Sequence, residues 1–434
     1  MPASPSLLIV PARFKTGKLY TQIATTSAGV VLASSGDFNV TRATTATRFN
    51  SAGLIESVAS GVPRLDYYTS GGTAGCPALL VEPSGTNGIL NSQDTATNWT
   101  LGANLSGGYV DVIGVSGNNL TVAVSGSNIG TSAGRLTRLS NNFALASGST
   151  YTISFLMLQS GTHTIGGYYA AITGAASGNL GGGFDVSGSF SSGSLFTYTG
   201  ATSRIRRVER FGTDVYRCSE TFTMTGSGTL TSFYLAPISG VTSQLNPAVG
   251  LGIAFAAPQI ELGATPTSFI PTTTGSVTRN ADVINLSGAV SGCIGQTEGT
   301  IYVEVDMQRL ILGSVFVLDV GGTGEYIAIS KLATGAFRVS IKKTSTSAVN
   351  IITTTTNAVG IYKLALGYTS GDYALYINGV SRGTSTNATD YPTGSLTQAV
   401  VSNANYGALN DFIRAAALYT SRLSNDELAA LTTL

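Results

Sequence analysis

Runs of strict two-residue alternation, each stopped by glycine or serine, commit much of this chain to β-structure. Thr150–Gly161 (TYTISFLMLQSG) puts Tyr151, Ile153, Phe155 and Met157 on one face of a strand. Asp214–Gly228 puts Tyr216, Cys218, Glu220 and Phe222 opposite Val215, Arg217, Ser219 and Thr221. Thr229–Ser239 and Gly250–Leu262 complete the set, and no helical period interrupts them. Apolar residues make up 43% of the chain, so the Ser/Thr/Gly stretches between strands read as turns and not as disorder. A chain of 434 residues exceeds one compact core and predicts two to four domains.

Charge is scarce. Asp, Glu, Lys and Arg total 10% against a usual value of roughly 25%, which favours burial of surface against other subunits. Lys and Arg number 23 and Asp and Glu 22, so there is no electrostatic footprint for nucleic acid or an anionic membrane. No run approaches 18 uninterrupted apolar residues, which excludes a membrane-spanning helix and membrane insertion through one. The N-terminal MPASPSLLIVPARFK lacks a basic leader and a small-residue cleavage site and does not read as a signal peptide. Cys76, Cys218 and Cys293 match no metal or redox spacing and are expected to be buried free thiols.

The chain divides into four parts. Residues 1–91 form a loop-rich N-terminal module with breakers at Gly53, Gly71-Gly72 and Pro83-Ser84-Gly85 and one short strand near Leu79–Glu82. Residues 92–270 carry the alternating strands and predict a β-sandwich. Residues 271–283 are an extended connector: Pro266 and Pro271 fix φ and push the preceding residues out of helix. Residues 284–434 predict a second β-sandwich, with Asn378-Gly379 as a hairpin turn and Ser424 with Glu427 as a capping box opening a short C-terminal helix. The fold class expected is therefore all-β, with two jelly-roll sandwiches behind a loop-rich attachment module.

Several motifs resemble those of bacteriophage virion proteins. Arg42–Thr47, Gly53–Ile55, Pro63–Tyr67 and Leu79–Asn87 are similar to a module that many tail and other virion proteins carry, although Pro83-Ser84-Gly85 departs from its usual pattern. Arg42, Arg48, Arg64, Asp66 and Glu82 within it read as structural ion pairs. The NWT, YTISF, VYRCSETFT and AAPQIELG segments resemble carbohydrate-binding modules of the xylan- and cellulose-binding jelly-roll type. The YINGV hairpin, IRAAALY strand and LSNDELAAL helix resemble the laminin-G and concanavalin-like fold. The resemblance implies a tail fibre, spike or surface-decoration protein, assembled in the bacterial cytoplasm with other virion proteins. It further implies a homo-oligomer, by analogy a trimer, that displays jelly rolls toward host-surface glycans. A purely structural capsid or head-fibre component is the alternative, and a polysaccharide depolymerase the third reading.

Sugar recognition needs aromatic faces beside short polar groups. Trp99, Tyr168, Tyr169 and Tyr406 are the candidates, and adjacent Tyr168 and Tyr169 must face opposite ways on a strand. Hydrolase chemistry on a concanavalin-like strand needs carboxylates at alternating positions; Glu304 and Asp306 fit, but Gln308 stands where the third belongs, so no catalytic residue is assigned. A single histidine, His163, excludes multi-His metal sites and most His-based triads. No cofactor motif is present; jelly rolls often hold Ca²⁺ through carbonyls and carboxylates, and no pattern places one here. Arg204, Arg206 and Arg210 are expected to pair with acidic groups of a neighbouring subunit.

Overall fold

The computed structural model describes residues 4–9, 11, 14–20, 22–23, 37–67, 76–93, 99–101, 105–110, 120–125, 136–159, 164–187, 191–195, 197–210, 215–238, 252–287, 292–343, 348–393 and 396–434. His163 lies outside them. Within them the protein is all-β with one short helix, and its antiparallel sheets form two sandwiches.

The first sandwich follows from the alternating runs. Thr150–Gln159 lies between Gly252–Leu262 and Val215–Met224 in one six-stranded sheet. Ile165–Thr173 lies between Gly228–Pro237 and Gly178–Asp185 in the other. Tyr151, Ile153, Phe155 and Met157 all point into the core, where they meet Tyr168, Phe184, Phe233 and Phe255. The proline within Gly252–Leu262 is accommodated by a bulge: register slips between Ser154 and Leu156, and Ala257 takes a φ of 50° just before Pro258.

The second sandwich draws on both ends of the chain. Glu298–Met307 and Asp411–Tyr419 sit at the centre of one nine-stranded sheet, and Asp411–Tyr419 also pairs with Leu7–Ile9 and Ala78–Val81. In the facing sheet Val283–Ser287 is flanked by Gln398–Ser402 and Phe38–Thr41. Leu7, Ile9, Phe38, Val40, Leu79 and Val81 are therefore members of the same core as Ile301, Val303 and Phe316. The segments expected to form a loop-rich module supply strands to both sheets. Asn378 and Gly379 have φ of 50° and 79°, as a two-residue hairpin with both central residues left-handed requires. Ser424 caps the helix Asn425–Thr432 with the reciprocal Glu427 bond.

A third apolar cluster joins the sandwiches. Leu156, Ala256 and Ala257 from the first meet Phe412 and Leu80 from the second, with Phe49 and Ile55 of the Ala46–Val58 hairpin and Phe269, just ahead of the connector, between them. The segment leading into the connector is packed inside the protein, while Thr273–Thr278 of the connector itself are exposed. Thr265, Thr267, Ser268, Phe269, Ile270 and Thr272 are buried, and Val277–Arg279 pairs with Gly85–Asn87.

Candidate functional site

The four aromatic candidates separate by burial. Trp99 is 5% exposed; its ring meets Phe233 edge-on and its Nε1 donates to the Asn91 carbonyl at 3.0 Å. Tyr168 is fully buried, stacks on Phe233 and donates its hydroxyl to Glu220 at 2.9 Å. Neither presents a face to a sugar: both rings fill the first sandwich, with their polar atoms satisfied inside it.

Tyr169 points the other way. On the outer face of the Ile165–Thr173 strand it lies opposite Tyr234 in register, with ring centroids 4.8 Å apart at 66°. Its hydroxyl donates to Asn179 Oδ1 at 2.5 Å, and its partner on the next strand is Gly181, which adds no side chain over the rings. The result is a half-exposed pair of tyrosines beside an amide. Tyr406 forms a second pair on the other sandwich. It meets Tyr326 edge-on at 5.5 Å and donates to the Gly322 carbonyl at 3.0 Å, over Val317, Ala328 and Val400.

Arg204 and Arg206 of the basic run are engaged within the chain and not left for a neighbouring subunit. Arg206 donates Nε and Nη2 to Glu220 at 2.9 Å each, and Arg204 donates Nε to the same carboxylate. Glu220 is fully buried, so this group of charges plugs one margin of the core. Gly182 makes room for it: a Cβ there would lie 2.5 Å from Glu220 Oε2 and 3.1 Å from Arg206 Nε. Burial, with the Glu220 carboxylate beside it, drives the Tyr168 hydroxyl well above its ordinary pKa.

The N-terminal charges form a network with the connector. Arg64 donates to Glu82 at 2.7 Å, to the Ser268 hydroxyl at 2.6 Å and to Asp282. Arg42 donates to Asp282 at 2.9 Å, and Arg279 lies 3.4 Å from Glu82. Burial alone would raise Glu82, but Arg64, Arg279, Arg309 and the Ser268 hydroxyl outweigh it and hold the carboxyl far below the usual range. Burial opposes the same effect at Asp282, where Arg64, Arg279 and Arg42 prevail. Of the other residues read as ion pairs, Arg48 bonds Glu56 at the surface and Asp66 accepts the Phe49 amide at 3.0 Å. Asp282, Arg279 and Ser268 complete the set from about 200 residues away in the chain, the first two standing in the Arg-Asn-Ala-Asp-Val run.

The paired carboxylates of the central strand are also occupied. Glu304 accepts from Arg414 at 2.8 Å, and Asp306 accepts from the Gln308 amide. Burial raises the Asp306 pKa, and the Gln308 bond opposes that rise. Among the described residues no group of three or more His, Cys, Asp and Glu side chains could hold a metal ion, and no helix is long and apolar enough to cross a membrane. The cysteines are free; Cys218 and Cys293 are buried, whereas Cys76, expected inside, is exposed because it lies ahead of the Ala78–Val81 strand and not within it.

No protein-family model matches the chain, and no curated protein does. Solved structures show partial likenesses to carbohydrate-binding and lectin-like sandwiches. The CBM40 module of the Ruminococcus gnavus IT-sialidase is 17% identical with a TM-score of 0.28, covering 34% of this chain and 88% of its own. A heptameric SAP-like pentraxin from Limulus polyphemus is 13% identical with a TM-score of 0.26, covering 32% and 70%. The receptor binding domain of botulinum neurotoxin C/D mosaic serotype is 9% identical with a TM-score of 0.29, covering 35% and 40%. The class of protein defined by the fold is a twin β-sandwich.

Proposed function

We propose that this chain is a non-enzymatic structural protein of a bacteriophage virion, a tail fibre, spike or surface decoration, whose sandwiches bind host-surface glycans. The observation that carries the glycan-binding part is the Tyr169/Tyr234 pair: two half-exposed rings on an outer sheet face, with the Asn179 amide beside them and glycine opposite. Rings take the C–H face of a sugar while an amide takes its hydroxyls. A second edge-on tyrosine pair, Tyr406/Tyr326, lies on the second sandwich. The virion assignment rests on the sequence motifs of the N-terminal module. It carries with it assembly in the bacterial cytoplasm, other virion proteins as partners and a homo-oligomer. The non-enzymatic reading is supported by Glu304 and Asp306, each already held by a neighbour.

A glycan array and host-cell binding assay with wild type, Tyr169→Ala and Tyr406→Ala tests this. Saturable binding is expected, with at least one variant losing it. A folded protein that binds no glycan and no cell sinks the adhesive reading and leaves the purely structural one. That second reading has its own observation: Leu262 and Leu312 are more than 60% exposed, consistent with surfaces covered in an assembly.

A further inference from the structure

A groove of about 390 Å³ opens where the Ala46–Val58 hairpin, the connector and the Gly85–Asn87/Val277–Arg279 ribbon converge. That size falls within the roughly 300–1,000 Å³ of small-ligand pockets. Ile270 and Pro271 line it with apolar surface, and Thr45, Ser57, Thr278 and Gln93 supply hydroxyls and an amide. Among the described residues Arg279 is its one charged lining residue, and it is already engaged: its Nη atoms donate to the Asn280 and Pro83 carbonyls at 3.1 and 2.7 Å, and Glu82 lies 3.4 Å away. The Arg279 Nε, though buried, has no hydrogen-bond partner.

We propose that this groove is a second binding site, for a neutral saccharide of one or two rings. An ionic ligand would find no uncommitted counter-charge among these residues, and desolvating its charge would go uncompensated. A neutral sugar asks for what the groove has. Short hydroxyls and an amide exchange hydrogen bonds with its hydroxyls, and apolar surface takes its C–H groups. The site is separate from both tyrosine pairs, and only its ligand class rests on the glycan-binding reading.

Saturation-transfer NMR on the full chain, with glucose, galactose, N-acetylglucosamine, cellobiose, lactose and glucuronic acid as probes, tests it. Ser57→Trp and Thr45→Trp fill the groove at exposed positions, and a folded filler decides the matter if the other does not fold; Tyr169→Ala removes the outer pair. The expected result is a neutral-sugar signal that falls at least tenfold in the groove-filling variants and persists in Tyr169→Ala. Loss in Tyr169→Ala with retention in folded groove-filling variants overturns the groove while sparing the proposed function. Preference for glucuronic acid overturns the neutral ligand class. Silence of folded wild type toward every probe overturns the groove, and the tyrosine pairs are then judged by the array alone.

Discussion

Arg64 is wholly buried, yet its guanidinium reaches two carboxylates and a hydroxyl. Arg64→Met leaves Glu82 and Asp282 buried with fewer partners, so unfolding free energy should fall by about 3–5 kcal/mol in a urea titration. The surface pair Arg48–Glu56 provides the contrast, and Arg48→Met should cost about 0–1 kcal/mol. The same network sets a pH dependence. Glu82 and Asp282 have folded pKa values below their ordinary 4.5 and 3.8, so their stabilisation is present above those values and is lost progressively as pH falls below them. Urea midpoints measured from pH 7 down to pH 2 should show that decline, and Glu82→Gln should flatten part of it. The arginines and Glu82 were legible as structural because isolated charges in a charge-poor chain need partners. Asp282 was not, because its partners are brought to it by the fold. Trp99 and Tyr168 misled for a related reason: a polar ring atom can be satisfied inside a core, and sequence does not show by what.

Elements with strong local patterns were read correctly. The four long alternating strands, the Asn378-Gly379 turn and the Ser424 cap each rest on neighbours within a few residues. The cap offers a clean test at this scale. Ser424→Ala removes the bond to the Glu427 amide and should cost about 1 kcal/mol, seen as a small shift in the thermal midpoint. Of the strands of two to four residues, Ala78–Val81 was legible, whereas Leu7–Ile9 and Phe38–Thr41 were not. They carry too few residues for periodicity to register. Their partners lie hundreds of positions away, so what specifies them is the vacancy they fill in a sheet built by others.

At the scale of the molecule, the first sandwich is an insertion within the second. Gly85–Asn87 and Val277–Arg279 pair at its base, and the Asn91 amide reaches the Thr273 carbonyl at 2.7 Å. A fragment of residues 284–434 lacks Leu7, Ile9, Phe38, Val40, Leu79 and Val81 from its core and should show no cooperative unfolding by near-ultraviolet circular dichroism. The whole chain should show it, and a cooperative fragment would mean those strands are dispensable. The stem of the insertion also decides how the molecule carries tension. Leu7 pairs with Leu418, so a pull applied to the two ends opens that ladder like a zipper, one bond at a time. The load then reaches the ribbon at the stem, which shunts it past residues 92–270 until the ribbon parts. Under traction the second sandwich yields first, and the Tyr169/Tyr234 face keeps its shape while the strands that tether it are being drawn out.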